Sequence, residues 1–315
     1  MKLISINQDY FFSNDLSPIL EVSALTIGVF DALHIGHLEL LKKLKEISKK
    51  GKTALITFSD LPESVVSDKA PVKILQPQIR DRILSNLNID FVVELEAGKK
   101  LFEMPAEVFL DRFFSMVITS AIAVGSDFRF GKDKRGDSQL LKNWFGDKLT
   151  VVPQVMWEGK VASSTIVRKM LIEGELEKVT ELLGRNYSFI GSVTAGDGIG
   201  SKLGFPTLNL VPTPSALSDG VYVVKTGIGD GVAHIGARPT LDKQERRFEV
   251  HIISENDAKI NLTYDTKIEV DFLNRIRSVE HFKSQDDLKA RIKKDIEEAK
   301  KIICARQDSN LGPTA

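Results

Sequence analysis

The sequence has a single cysteine, no long apolar run and no excess of charge of either sign. Cys304 has no partner within the chain, which excludes an intrachain disulfide framework and indicates a reducing compartment. No stretch approaches the roughly 20 apolar residues that cross a bilayer. Residues 1–13 lack the basic and apolar segments of a secretory signal. We therefore expect a cytoplasmic protein that does not bind membranes.

The balance of charge bears on which class of ligand the protein can bind. Lysine plus arginine and aspartate plus glutamate number 43 each, so the formal net charge is zero. Nucleic acids are usually bound by a clustered basic face, and the neutral balance gives no reason to expect one. Small anionic ligands can still bind at a locally basic site. The 315 residues suggest two globular domains, and nothing in the composition predicts or excludes self-association.

The first half alternates apolar, strand-like runs with amphipathic helical stretches. Strands are predicted at residues 24–30, 53–58, 91–95 and 118–124, and helices at 37–50, 79–87 and 107–116. This β-α-β-α order predicts a doubly wound α/β domain with a parallel sheet. We expect it to occupy residues 1–184.

The pattern changes near Gly184. Short strand-like runs at residues 187–194, 221–226, 248–253 and 266–272 are separated by glycine and proline, which predicts a small antiparallel β-barrel over residues 185–303. A closing helix follows, with Ser284 as its N-cap and Asp287 three residues later. Leu288, Ile292, Ile296 and Ile303 share one face of this helix. Residues 304–315 show no periodicity, and we expect a disordered tail.

The strongest motif is the decapeptide GVFDALHIGH at residues 28–37, where a strand leads into a helix. Open α/β sheets bind ligands outside the carboxyl ends of their strands, and helix N-termini present N–H groups to phosphates. His34 and His37 are expected on one helical face, with Gly36 leaving room for a nucleotide. A lone histidine is more often structural, but this pair in this position indicates phosphate binding.

Two further segments carry polar groups near predicted strand ends or helix starts. VGSDFRFGK at residues 124–132 follows a strand and offers Asp127 and Arg129, although it also fits a loop with two buried phenylalanines. SSTIVR at residues 163–168 offers Ser164, Thr165 and Arg168 at a helix start. Such hydroxyls are usually caps, and with an arginine they can also clamp a triphosphate.

In the second half, GDGIG at residues 196–200 precedes KLGFPTLN at residues 202–209. The glycine spacing does not match a dinucleotide-binding fingerprint and we expect no helix after it, so that reading is rejected in favour of a turn. Thr207 and Asn209 place two oxygen-bearing side chains on one strand face, which suits Mg²⁺ held between protein and ATP. Glu249, among strand formers, is either a solvated outward residue or a base.

Together and in this order, these segments resemble the bifunctional bacterial riboflavin kinase/FMN adenylyltransferase family, also called FAD synthetase. The resemblance covers about residues 26–303. GVFDALHIGH, VGSDFRFGK and SSTIVR resemble the three adenylyltransferase motifs. In the kinase half the similar segments are KLGFPTLN, Gly220-Val221-Tyr222, IGARPT at residues 235–240, FEVH at 248–251, and Phe282-Lys283-Ser284 before the closing helix.

The resemblance implies ATP-dependent phosphorylation of riboflavin to FMN by the second half and adenylylation of FMN to FAD, with release of pyrophosphate, by the first. ATP, riboflavin, FMN and FAD are the expected partners, and Mg²⁺ is the expected cofactor. Glu249 would be the kinase base, Thr207 and Asn209 the Mg²⁺ ligands, and His34 and His37 the groups that stabilise charge. Further implied contacts are Gly28, Phe30, Asp31, Gly36, Asp127, Arg129, Ser164, Thr165 and Arg168 in the first half, and Gly196, Lys202, Gly204 and Pro206 in the second.

The chain departs from the family's pattern at a few positions. Ala32 stands where the family usually has glycine, and its methyl group could crowd the loop. Ser59-Asp60-Leu61-Pro62 stands where the family has a segment resembling DPHP, so a histidine expected near the flavin is missing. Leu208 replaces the usual alanine, and His234 replaces the usual asparagine.

Three alternatives stay open at this point. One half alone could be active, or the chain could bind flavin without catalysis, although retention of the motif residues argues against decayed sites. Class I aminoacyl-tRNA synthetases share the tetrad His34-Ile35-Gly36-His37. However, no KMSKS-like loop follows it here, and the zero net charge offers no face for tRNA.

Overall fold

The structure, a computed structural model, describes residues 1–66, 70–237, 246–253 and 262–310. The chain divides into two compact units, Met1–Ser164 and Thr165–Ala315. This division precedes the helix Leu176–Leu183, whereas the sequence placed the boundary after Gly184. The fold class expected from the sequence is confirmed in both units.

The first unit is built on parallel strands and the helices between them. The strands are β1 (Lys2–Ile6), β2 (Leu20–Ile27), β3 (Thr53–Phe58), β4 (Phe91–Leu95), β5 (Val117–Gly125), β6 (Leu149–Val152) and the hairpin of β7 (Met156–Trp157) and β8 (Lys160–Val161). The helices are α1 (Gln8–Phe11), α2 (Ile35–Ile47), α3 (Pro62–Val66), α4 (Pro77–Asn86), α5 (Lys99–Phe102), α6 (Ala106–Met116) and α7 (Ser138–Phe145).

The main sheet has the order β1-β4-β3-β2-β5-β6, and its paired strands are all parallel. Every residue of β3 except Phe58 is buried, as expected when helices cover both faces of a sheet. After β2 the chain builds β3 and β4 on one side and then returns to place β5 on the other. This reversal creates a topological switch point between β2 and β5, the usual ligand-binding position in such sheets.

The second unit is an antiparallel barrel with flanking helices. Its strands are β9 (Tyr187–Thr194), β10 (Leu208–Val211), β11 (Gly220–Thr226), β12 (Gly229–Gly236), β13 (Arg247–Ile252) and β14 (Lys267–Arg277). Its helices are α8 (Ser164–Glu173), which begins at the division, α9 (Leu176–Leu183), α10 (Ile199–Leu203) and α11 (Gln285–Asn310).

The six strands close in the order β10-β13-β12-β11-β14-β9 around aromatic side chains. Tyr187, Tyr222, Phe248 and Phe272 are at most 1% exposed, and the first three rings each contact the Phe272 ring at centroid distances of 5.6–5.9 Å. Because side chains alternate along a strand, the neighbours of these residues point outward. One outward face therefore meets α11, where Val223, Leu273 and Ala299 form a small core.

Helix α9 is fixed to the barrel by a hydrogen bond as well as by its apolar face. Asn274 Nδ2 on β14 donates to Glu177 Oε1 on α9 at 2.9 Å. Leu176, Val179, Leu182 and Leu183 are all buried. Gly184 then ends the helix in the left-handed conformation that favours glycine, with φ 66°. These contacts explain why α9 belongs to the barrel.

Helix α11 begins as predicted but continues farther than predicted. Ser284 Oγ accepts a hydrogen bond from the Asp287 N–H at 3.1 Å, which confirms the cap. The helix runs to Asn310, so the prediction of disorder is wrong for residues 304–310; residues 311–315 lie outside the described ranges. Arg306 donates to Asn274 Oδ1 and Leu273 O, both at 3.0 Å. These long-range hydrogen bonds hold the last turns of α11 on β14. They do not depend on a periodic apolar pattern, so the sequence could not predict them.

Candidate active sites

A cavity of about 280 Å³ lies in the first unit where β2, β5 and β6 end. Gly28 follows β2, Gly125 ends β5 and Pro153 follows β6, and all three line the cavity. This is the crevice that the switch point predicts. The cavity also contains His34 and His37, so the decapeptide lies where a nucleotide phosphate would bind.

The two histidines are brought together differently from the prediction. His34 is the N-cap of α2 and lies outside the helix face, and its Nδ1 accepts the Gly36 N–H at 3.2 Å. The His34 and His37 rings stack with centroids 3.9 Å apart. A Cβ at Gly36 would lie 3.1 Å from the His34 ring. Since Nδ1 is the acceptor, the neutral His34 ring carries its proton on Nε2 and can donate from there.

The loop between β2 and α2 holds a strained backbone. Phe30 and Leu33 have φ values of 52° and 48°, a region that side-chain-bearing residues seldom adopt. Both are buried, so packing holds the loop in shape. Ala32 does not share this conformation and is fully buried. The methyl group that replaces the expected glycine is therefore accommodated.

The second predicted segment also reaches this cavity. Phe128, Asp127 and the exposed Arg129 line it, and Arg129 Nη1 donates to the Phe128 O at 2.8 Å. The Phe128 and Phe130 rings stack at 5.3 Å, and Phe130 contacts Phe109 of the core. The segment thus combines both readings, because one aromatic ring anchors the loop and the polar residues face the cavity.

Other predicted residues lie elsewhere. Asp31 does not line this cavity, because its Oδ1 accepts the Ile74 N–H at 3.0 Å and so anchors the segment before α4. Ser163 lines the cavity and Ser164 begins α8. Thr165 and Arg168 follow in the first turns of that helix and belong to the second unit.

The segment without the expected histidine contains a charged pair. Lys73 Nζ lies 3.1 Å from Asp60 Oδ1 and donates to the Ser59 O at 2.8 Å. Partial burial disfavours the charged carboxylate, but the Leu61 N–H and Lys73 outweigh it and lower the pKa of Asp60 below its ordinary value. Leu61 itself is buried. The segment therefore places a half-exposed ion pair beside the position of the missing histidine.

The second unit contains a cavity of about 520 Å³ between the barrel and α11. Val221, Val232, His234 and Glu249 line it from the barrel, and Leu288, Ile292 and Ile296 line it from the helix. Its volume lies within the range of small-molecule sites. Three of the four residues that the sequence placed on one face of α11, Leu288, Ile292 and Ile296, thus form a wall of this cavity.

Glu249 occupies the centre of a row of polar residues on adjacent strands. It lies directly opposite Asn209 on β10 and directly opposite His234 on β12. Glu249 is 8% exposed, so its interpretation as a solvated outward residue is wrong. Thr207 lines the cavity, while Asn209 lies beside Glu249 without lining it. The fold therefore brings the proposed base and both proposed metal ligands to the same end of this cavity.

The glycine segment packs against these same side chains. A Cβ at Gly196 would lie 2.0 Å from Asn209 Nδ2, and one at Gly200 would lie 2.5 Å from Phe205 O. Gly198 has φ 67° and α10 follows it, so the expectation that no helix follows the glycines is wrong. The dinucleotide fingerprint stays rejected because the neighbouring strands are antiparallel. Glycine is required here for close approach to the Asn209 and Thr207 side chains.

The remaining predicted residues of this half surround the same loop. Lys202 lies exposed in the last turn of α10, and Gly204 follows it in the left-handed conformation with φ 88°. The Pro206 O lies 2.9 Å from His251 Nδ1. Arg238, Pro239 and Thr240 of the IGARPT segment lie outside the described residues.

Sequence reasoning missed a buried ion pair in this cavity. Arg277 on β14 and Asp295 on α11 both line it, with Nη2–Oδ2 and Nε–Oδ1 distances of 2.7 and 3.0 Å. Their side chains are 11% and 3% exposed. Asp295 precedes Ile296 on the apolar side of the helix. A charged residue there was a signal that could have indicated a buried partner.

These two sites define a two-part nucleotide-dependent transferase. A family model described as FAD synthetase matches residues 16–166, and one described as riboflavin kinase matches residues 183–303. A bifunctional riboflavin kinase/FMN adenylyltransferase of Buchnera aphidicola is 34% identical over 92% of this chain and 97% of its own length. The Escherichia coli K12 protein of that name is 34% identical over 87% and 91%. The chain belongs to the family of bifunctional riboflavin kinase/FMN adenylyltransferases.

A solved structure extends the likeness to the fold. The crystal structure of a macrolide-efflux protein from Streptococcus pneumoniae matches with a TM-score of 0.81 and 29% identity, covering 94% of this chain and 99% of that one. Within the ranges that the structure describes, no helix has the length and apolarity of a membrane span. The family, the order of the two parts and the function expected from the sequence, conversion of riboflavin to FMN and then to FAD, are confirmed.

Proposed function

We propose that the cavity at the end of β2 is the FMN adenylylation site and that the cavity under α11 is the riboflavin phosphorylation site. The observation that carries the second assignment is the buried Glu249 beside Asn209, in a cavity that Thr207 also lines. The first rests on the stacked His34 and His37 rings at a helix start. The proposal includes a cytoplasmic location and no nucleic-acid ligand.

Glu249 is proposed as the base of the kinase. The carboxylate accepts the proton of the riboflavin 5′-hydroxyl while that oxygen bonds to the γ-phosphorus of ATP. The bond from this phosphorus to the β-phosphate oxygen breaks, and ADP leaves. Leu288, Ile292 and Ile296 offer an apolar wall to the flavin ring. Burial excludes water, which would otherwise compete for the phosphoryl group.

The donor set beside Glu249 fits a divalent metal, which ATP-dependent kinases generally require, and we assign Mg²⁺. The Thr207 hydroxyl and the Asn209 amide oxygen are hard oxygen donors, and Gly196 and Gly200 bring the loop against both side chains. Mg²⁺ takes few protein ligands and keeps waters and phosphate oxygens, so two suffice. When bound with ATP, it supplies neutralisation of the phosphate charge. Among the described residues, no group of three or more His, Cys, Asp or Glu side chains offers a competing site.

His34 and His37 are proposed to stabilise the transition state of the adenylyl transfer. An FMN phosphate oxygen attacks the α-phosphorus of ATP, and the bond to pyrophosphate breaks. The Nε2–H of His34 and the ring of His37 donate to the charge that develops, and the N-terminus of α2 adds its dipole. Arg129 lines this cavity, and we assign it to the same triphosphate. Positioning and electrostatics suffice, without a covalent intermediate.

One experiment tests the whole assignment. The full chain is incubated with riboflavin, ATP and Mg²⁺, and the flavins are separated by chromatography over time. We expect FMN to rise and then FAD to form. If only one half is active, either FMN accumulates without FAD, or added FMN becomes FAD while riboflavin is untouched. Flavin binding without any turnover would contradict both site assignments.

A further inference from the structure

His234 is the second polar neighbour of Glu249. The two residues lie directly opposite each other on β12 and β13, and both line the cavity under α11. Side chains directly opposite in an antiparallel pair share a face, with Cβ atoms about 4.5–5.5 Å apart. An imidazole N–H of His234 is thus within hydrogen-bonding reach of the Glu249 carboxylate.

Three nearby side chains are apolar or are held by partners of their own. On its far side His234 faces the apolar Val221 on β11. His251, two residues beyond Glu249, is directed to the Pro206 O at 2.9 Å. On α11, Asp295 is held by Arg277. Asn209 flanks Glu249 from the opposite strand, so the carboxylate lies between one imidazole and one amide.

We propose that His234 is a positioning residue for phosphorylation of riboflavin. Its N–H donates to one carboxylate oxygen of Glu249, which leaves the other oxygen to accept the proton of the 5′-hydroxyl. A carboxylate rotates about its last torsion, and one fixed donor defines which oxygen faces the substrate. The inference rests on the proposed role of Glu249 as the base. His234 itself need not touch riboflavin.

The test compares a variant that keeps an N–H donor with one that has none. In the full chain, His234→Leu should lower kcat for FMN formation about tenfold, the lower end for loss of a group that orients a reacting side chain. KM for riboflavin should change less than about threefold, because the contact acts on the base. His234→Asn should retain more than about a third of kcat, because its amide also donates. Thermal unfolding is measured for each variant, and His234→Phe replaces His234→Leu if the latter unfolds.

A double-mutant cycle separates positioning from a general effect on structure. In the Glu249→Gln background, which lacks the base, adding His234→Leu should lower the remaining rate less than about twofold. A full tenfold loss in that background, normal kcat in His234→Leu, an effect on KM alone, or His234→Asn as slow as His234→Leu would each overturn the proposal. Near-normal FMN formation by Glu249→Gln alone would overturn the base assignment itself, which is a separate failure.

Discussion

At the scale of the residue, His34 combines two functions in one ring. Nδ1 caps α2 by accepting the Gly36 N–H, and the opposite nitrogen remains the donor of the neutral ring. The cap keeps the ring at the helix start, where phosphate would bind. Stability and catalysis therefore depend on different atoms of one side chain, and substitutions can separate them.

His34→Asn and His34→Ala should separate these two functions. Both remove the Nε2 donor, so both should slow FMN adenylylation. The expected loss of transition-state stabilisation is about 2–4 kcal/mol. Asparagine is a good N-cap, so only His34→Ala should also lose about 1 kcal/mol of unfolding free energy. Riboflavin phosphorylation by the same preparations serves as the control and should stay unchanged. Normal FAD formation by His34→Asn would contradict the role of the ring.

Glu249→Gln and Asn209→Ala should have different kinetic signatures. Glu249→Gln keeps the shape but removes the proton acceptor, so kcat for FMN formation should fall about 10²–10⁴-fold with little change in KM for ATP. Asn209→Ala removes an oxygen ligand, so the Mg²⁺ and ATP requirement should rise, and extra Mg²⁺ should restore part of the rate. Titrations of Mg²⁺ and ATP distinguish the two. Rescue of Glu249→Gln by Mg²⁺ would instead make Glu249 a metal ligand.

The same scale shows what the sequence could predict of the sites. His37 and Thr207 could be predicted to lie at the two cavities because each belongs to a local motif, whereas the local pattern around Glu249 left its burial open. The partner of Asp295 could not be predicted, since Arg277 lies 18 residues away along the chain and joins it only through packing of α11 on β14. The tautomer of His34 could not be predicted from the sequence either, because it follows from the hydrogen bond that Nδ1 accepts from the Gly36 N–H.

At the scale of the element, the loop at residues 196–204 depends on close approach. Gly200→Ala would place a Cβ 2.5 Å from the Phe205 backbone oxygen, which cannot rotate away. The loop should then move off Thr207, and KM for ATP in FMN formation should rise about tenfold, which corresponds to about 1.4 kcal/mol. Gly227→Ala is the matched control, because a Cβ there meets nothing within 4 Å. Equal KM values in the two variants would refute the tight fit.

Elements were predictable where burial leaves a strong pattern. The predicted bounds of β3, β4 and β9 agree with the structure, because most residues of these strands are buried and strand-forming. β12 was missed because it contains three glycines and an aspartate, and only its two partner strands make it extended. The sequence placed Thr207 and Asn209 on one strand, and β10 begins just after Thr207, at Leu208.

At the scale of the whole molecule, the position of α9 decides where the kinase part begins. A fragment of residues 165–315 should form FMN but no FAD, as measured by chromatography. A fragment of residues 185–315 lacks α9, whose buried leucines cover β9 and β14, so its unfolding midpoint should be several degrees lower. Equal midpoints would show that α9 adds nothing to the barrel. FAD formation by either folded fragment would contradict the division of labour.

The cavity under α11 has one wall of barrel and one wall of helix, and it exists only while the helix stays docked. A flavin that fills it binds the docked state alone, so it must oppose every opening of the helix. The exchange rate of the α11 amide hydrogens that exchange through such openings then reports how much of the cavity is occupied by flavin. Their exchange should slow by about 1 + [L]/Kd, or about a hundredfold when riboflavin is present at a hundred times its Kd. Unchanged exchange at saturating riboflavin would place the flavin elsewhere.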